Sequence, residues 1–178
     1  MKNFMQSSLF VTLGSLLGCA SDTYHKTVDY VDRDRFMVDW HVIAGRFTMF
    51  ENEPYNSIEG YTWNEKEQQI DINFRYNKGS FDGELKKIPQ TAWIENKKTN
   101  AHWKVKPAWF PFKMDYLVIG LDPNYEWTAI GVPSQKYLWI MSPNPFFPKE
   151  KVPAILEQLA KTGYNIKDII YVPQNGKK

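Results

Sequence analysis

Ile70-Asp71-Ile72-Asn73-Phe74-Arg75-Tyr76 alternates apolar and polar side chains without a fault. Successive side chains of a strand point to opposite faces. The run therefore buries Ile70, Ile72, Phe74 and Tyr76 on one side and wets Asp71, Asn73 and Arg75 on the other. Asn77-Lys78-Gly79-Ser80 follows as a hairpin turn into Phe81–Leu85, and Ala92–Glu95 either extends that strand or stands apart. Upstream, Trp40–Phe47 and Ser57–Asn64 have the same character. Downstream come Ala101–Lys106, Met114–Leu121, Trp127–Val132 and Tyr137–Met141, divided by the turns Lys97-Lys98-Thr99-Asn100 and Asp122-Pro123-Asn124. Eight strands at meander spacing predict an all-β domain, either an antiparallel up-and-down barrel or a sandwich.

The period then changes. Val152, Ile155, Leu156 and Leu159 recur at i, i+3, i+4 and i+7, one face of a helix over Lys149–Lys161. Pro153 is tolerated only in its first turn, which shifts the start later, and Gly163 supplies the stop. With a single apolar stripe, this helix is expected against the outside of the sheet. A short last strand, Asp168–Val172, follows.

At the other end, Lys2 precedes an uncharged stretch from Asn3 to Gly18 that carries Phe4, Leu9, Phe10, Val11, Leu13, Leu16 and Leu17. It has the shape of a secretory signal and is too short and polar for a stable membrane span. Ser15-Leu16-Leu17-Gly18-Cys19 resembles the lipobox of bacterial lipoproteins. The resemblance implies cleavage before Cys19, a diacylglyceryl group on its sulfur and an acyl group such as palmitate on its amine. An ordinary signal peptide followed by a spare cysteine is the alternative. Anchoring through several acyl chains satisfies the two-signal requirement for stable membrane attachment. Ala20, where an aspartate marks inner-membrane retention in enterobacteria, favours the outer membrane, periplasmic face. The polar stretch from Ser21 to Arg35 reads as a tether.

Removing 18 of the 178 residues leaves about 160, the size of one domain. Net charge is +2 with no basic stripe, so composition gives no reason to expect nucleic-acid binding. A mean hydropathy of −0.51 excludes an integral helical bundle. Aromatic residues make up 16% of the chain, a load suited to pleated surfaces and cavity walls.

Arg35-Phe36-Met37-Val38-Asp39-Trp40, Tyr116–Tyr125, Tyr137-Leu138-Trp139-Ile140-Met141-Ser142 and Ile169-Ile170-Tyr171-Val172-Pro173-Gln174 stand in the order and places of the motifs of the lipocalin family. The likeness is to its bacterial outer-membrane lipoprotein and apolipoprotein-D-like branch. It implies an eight-stranded antiparallel up-and-down barrel, one C-terminal α-helix packed outside and a short final strand. The division is a signal over 1–18, an anchor and tether over 19–34, the barrel domain over 35–174 and a tail over 175–178. Two positions depart from the family pattern: Val38 replaces the glycine of G-x-W, and Pro143 replaces the arginine that packs over the motif tryptophan. Arg35 is a candidate to cover Trp40 instead.

A barrel of this size holds one small ligand. Strand parity and the aromatic segment Pro107–Phe112 nominate Ile72, Phe74, Tyr76, Trp103, Val105, Trp109, Phe112, Tyr116 and Val118 as ligand-binding. On Met114–Leu121 both faces are apolar and parity stays open, its outer face being a candidate seat for the helix. Pro107–Phe112 is either a stiff aromatic lip at the mouth or a loop folded over the floor or flank. Lys104, Lys106 or Lys113 is expected to hold a negative head group, and His41 faces either the lumen or solvent. His25, His41 and His102 lack zinc-ligand spacing, and no nucleophile elbow or phosphate loop is present, so neither metal, cofactor nor catalysis is expected. The expected ligand is a fatty acid or lysophospholipid, the expected partner a membrane through the lipid anchor, and a homodimer is admitted. The rival readings are a structural lipoprotein whose barrel is filled by its own side chains and an enzyme on the same fold.

Overall fold

The structure, a computed structural model, describes residues 23–177. The signal reading and Cys19 lie outside the described residues. Eight strands follow one another: β1 (Asp39–Arg46), β2 (Pro54–Asn64), β3 (Gln69–Lys78), β4 (Leu85–Ile94), β5 (His102–Pro107), β6 (Met114–Leu121), β7 (Thr128–Gly131) and β8 (Leu138–Ser142). Each pairs antiparallel with the next, and β1 pairs with both β2 and β8, so the ring closes and the sandwich is excluded. Strand direction sorts the loops. Residues 47–53, 79–84, 108–113 and 132–137 lie at one end, the mouth, and the other connections lie at the floor.

Alternation does what the sequence requires of it. Ile70, Ile72, Phe74 and Tyr76 are all buried, and Trp103 and Val105 point inward, opposite His102 and Lys104, which meet Asp115 on the outer face. The open choice at Ala92 resolves as extension, because β4 runs unbroken to Ile94 while Phe81–Gly83 stay in the turn. Pro89 sits inside this strand without harm. Its carbonyl accepts from Ala108 N at 3.0 Å, on the side where β5 has already ended at Pro107, so the missing N–H falls on a locally free edge.

Two cores result. Inside the barrel, Trp40, Val42, Tyr61, Ile70, Trp103, Tyr116 and Val118 pack together with Phe36. Outside, Val152, Ile155 and Leu159 of α2 (Val152–Lys161) pack on Ile43, Leu117, Ile119 and Ile140. The ambiguous strand β6 thus serves both cores: Tyr116 and Val118 face inward and Leu117 and Ile119 lie beneath the helix, until the register shift between Val118 and Gly120 turns Gly120 to the helix side and Leu121 inward. Gly120 permits the approach, since a Cβ there would stand 3.2 Å from Leu159. The helix begins at Val152 after a single 3-10 turn, placing Pro153 in its first turn, and ends at Lys161, with Gly163 just beyond its cap at a φ of +91°.

β9 is shorter than expected, only Ile170–Tyr171, and pairs outside the barrel with Ala44 and Gly45. It occupies the place left where β1 and β2 separate above His41 and Ile58. Gln174 completes that seam, its amide donating to Val42 O at 2.9 Å and Ser57 O at 3.1 Å. The segment read as a tether is bonded to the body from Tyr24 onward: Tyr24 N donates to Pro133 O, Val28 N to Val118 O and Val31 N to Thr99 O.

Candidate functional site

The floor is sealed by rings. Asp32 caps α1 (Arg33–Phe36) by accepting from the Asp34 and Arg35 amides, and this turn drives Phe36 into the barrel. The Phe36 ring lies 5.0 Å from Trp40, 5.5 Å from Tyr61 and 5.3 Å from Trp103. Trp103 stacks in turn under Tyr116 at 5.3 Å and 7°. Phe36, not Arg35, therefore covers Trp40, and its carbonyl also accepts the Trp40 indole N–H at 3.0 Å. Arg35 instead lies over the Tyr125 ring at 4.0 Å. Val38 is tolerated because it has no positive φ.

Above that plug a cavity of about 250 Å³ opens towards the mouth. Ile72, Phe74, Val105, Trp109 and Tyr116 form its wall with Ile88 and Trp139. The other nominated residues stand apart from it. Trp103 and Val118 belong to the floor core. Tyr76 ties down the β1–β2 loop by donating to Phe50 O at 2.7 Å. Phe112 is 68% exposed on the outer lip. The Pro107–Phe112 loop is at the mouth rather than over the floor: Trp109 meets Phe50 of the facing loop at 4.7 Å. A broader, solvent-open groove of about 510 Å³ lies outside the floor between Trp63 and Trp93, with charged Asp32, Arg33 and Lys97 along it. It lacks enclosing walls.

The polar equipment of the cavity is acidic, the reverse of the lysine expectation. No Lys, Arg or His lines it. Lys104 is bound to Asp115 at 2.6 Å, and Lys113 lies over Trp93 at 3.8 Å. Glu59 projects inward from β2, and the Tyr61 and Tyr116 hydroxyls both donate to its Oε2, the latter at 3.2 Å. The two hydroxyls also contact each other. Glu51, from the β1–β2 loop, accepts from the Trp139 indole N–H at 2.9 Å and from the Thr48 hydroxyl at 2.9 Å.

Burial raises the pKa of Glu59 from the ordinary 4.5 to about 7; the negative charge of Glu51 adds to this and the tyrosine hydrogen bonds oppose it. Burial raises Glu51 too, against the Trp139 and Thr48 hydrogen bonds. Both tyrosine hydroxyls are pushed well above 10, first by burial and then by the neighbouring Glu59 charge. On the outer wall, burial would raise Asp115, but hydrogen bonds from Lys104 and His102 hold it below the usual carboxylate range.

Glu59 had a legible signal: it shares parity with Tyr61 and Trp63 on a strand, where a lone acid on an aromatic face marks an inward polar group. Glu51 had none, since loop residues carry no parity. His41 fits neither expected position. It is 2% exposed on the face opposite Trp40 and Val42, with Nδ1 3.4 Å from Gln174 Oε1. Among the described residues no group of three His, Cys, Asp or Glu is placed to hold a metal, and no helix is long and apolar enough to cross a membrane.

A family model described as a lipocalin-like domain matches residues 31–174. Temperature-induced lipocalin-1 of Arabidopsis thaliana is 29% identical over 154 residues, covering 80% of this chain and 78% of that protein. Outer membrane lipoprotein Blc of Citrobacter freundii is 28% identical over 165 residues, covering 90% and 91%. Among solved structures, insecticyanin of the tobacco hornworm Manduca sexta aligns with a TM-score of 0.63 at 16% identity over 85% of each chain. Lobster apocrustacyanin A1 aligns with a TM-score of 0.63 at 11% identity, covering 82% of this chain and 81% of its own. These last two speak for the fold alone. Closed eight-strand ring, outer helix, plugged floor, open upper cavity and a family match across most of the length agree: the chain belongs to the lipocalin family, with bacterial outer-membrane lipoproteins of the Blc type among its relatives.

Proposed function

We propose that this protein is a membrane-anchored lipocalin that takes one small apolar or amphipathic molecule into the upper half of its barrel, for storage or transport of membrane lipid. The observation that carries the reading is the cavity itself: apolar walls from five strands, a sealed floor, and a mouth flanked by Phe50 and Trp109. At about 250 Å³ it falls just below the usual range of ligand pockets, roughly 300–1,000 Å³. It suits a compact molecule or the end of one acyl chain better than a whole long-chain lipid. The rival reading, a barrel filled by its own side chains, describes the lower half only.

Outer-membrane location and lipidation at Cys19 remain part of the proposal, supported by the Ser15–Cys19 run and by relatives named as outer membrane lipoproteins. The exposed apolar residues Met49, Phe50, Trp109 and Phe112 sit on two mouth loops. The first described residues of the chain also pass that end, Tyr24 bonding Pro133 of the β7–β8 connection. A lipid anchor there would bring the opening towards the bilayer. The test is titration of the folded protein with the uncharged dye N-phenylnaphthylamine, followed by competition with small lipids. Saturable binding of about one dye per chain, displaced by lipid, is expected; folded protein that binds neither rejects the reading.

A further inference from the structure

We propose that the cavity selects ligands whose inner polar group donates hydrogen bonds, an ammonium or a hydroxyl, and discriminates against free carboxylates, with Glu59 Oε1 as the accepting atom. This rests on the reading that the cavity takes a ligand and adds the chemistry of its polar end. Three observations lead to it. Both tyrosine hydroxyls bond to Glu59 Oε2, so Oε1 accepts no hydrogen bond from the described residues although the side chain lines the cavity and the residue is only 5% exposed. Oε1 is not a fully buried atom, unlike Ser57 Oγ and Trp63 Nε1, so it is reached from the cavity, where a ligand donor can take the place of solvent on it. Glu51, the second acid on the wall, is already engaged at both oxygens by Thr48 and Trp139, so it contributes charge rather than a vacant acceptor.

Finally, nothing cationic offsets the two acids from within. Lys86, which shares the strand parity of Ile88, is paired with Glu84 at 2.7 Å, and Lys104 with Asp115. An anionic head group entering this cavity meets Glu59 and Glu51, with the third lining acid, Asp115, already paired to Lys104 and His102, whereas a donor meets a waiting acceptor. The tyrosines also hold the carboxyl in place: both engage Oε2, which leaves Oε1 as the oxygen open to a ligand.

The experiment uses the dye-loaded protein at pH 8 and three competitors of one chain length, decylamine, decanol and decanoate, each below its micelle threshold. Hydrogen bonds to charged groups predict decylamine displacing dye at about tenfold or more lower concentration than decanoate, with decanol between. Glu59→Gln narrows the ratio to about threefold or less, and Glu51→Gln narrows it partly through charge alone. Decanoate competing as well as decylamine, or a ratio unchanged in Glu59→Gln, overturns the proposal while leaving the cavity as the binding site. Dye that binds but yields to none of the three would sink both. If Glu59→Gln fails to fold, the wild-type ratio and Glu51→Gln still decide.

Discussion

Glu59 connects site chemistry to stability. Its carboxyl titrates near 7 in the fold and near 4.5 when the chain is open, so between those values the native state holds the extra proton. Folding stability contributed by this group is then fully present below about pH 4.5 and is lost as pH rises towards 7 and beyond. The difference is worth about 3 kcal/mol if the whole displacement is realised. Glu59→Gln removes the dependence by making the side chain permanently neutral. Urea midpoints at pH 5 and pH 8 check this: wild type loses stability at the higher pH while Glu59→Gln loses less. Equal slopes for the two proteins would show that Glu59 is not the group responsible. Tyr116→Phe removes one of the two donors on Oε2, leaves the Trp103 stack in place, and is expected to steepen the loss at pH 8 in the same assay.

At the scale of elements, the weak point is the seam. β1 and β2 pair only from Asp39↔Gly60 to His41↔Ile58, and above that level the Gln174 amide and β9 satisfy backbone groups that would otherwise be orphaned. Gln174→Ala removes the amide that donates to both Val42 O and Ser57 O and is expected to cost about 1–3 kcal/mol, read as a lower thermal midpoint and faster amide exchange in β1 and β2. On the far wall, Leu159→Ala empties the contact between α2 and β6 and is expected to cost about 2–5 kcal/mol. Dye binding should survive, because Leu159 faces the outer core and not the cavity. The strands and the helix were legible because period two and period 3.6 leave different marks on apolar residues, as Ile70–Tyr76 and Val152–Leu159 show. The seam was not legible, since Gln174 acts through a side chain reaching two carbonyls far away in sequence. The choice of Phe36 over Arg35 as the floor cover was hidden for a similar reason: a four-residue capped turn decides which of two neighbouring residues points inward.

For the whole molecule, the division of labour runs along the barrel axis. The lower half is a solid of rings built on Phe36, Trp40, Trp103 and Tyr116; the upper half holds the cavity and ends in exposed aromatic loops. Wall positions such as Ile72, Phe74 and Val105 were readable from alternation, but depth along a strand was not. Trp103 and Val105 share a face, yet only Val105 lies above the plug. Charge at the site was misjudged for lysines because exposed lysines beside the mouth find acids and rings on the outer wall instead of turning in. The central claim is that a ligand occupies this upper cavity, and a variant that fills it tests that claim most directly. Ile88 is half-buried on the cavity wall of β4, so Ile88→Trp adds bulk there without disturbing the floor. Titrated with N-phenylnaphthylamine, and shown by circular dichroism to be folded, Ile88→Trp is expected to bind about tenfold or more weakly than wild type. Undiminished affinity in the folded variant would contradict the account and place the binding elsewhere on the molecule.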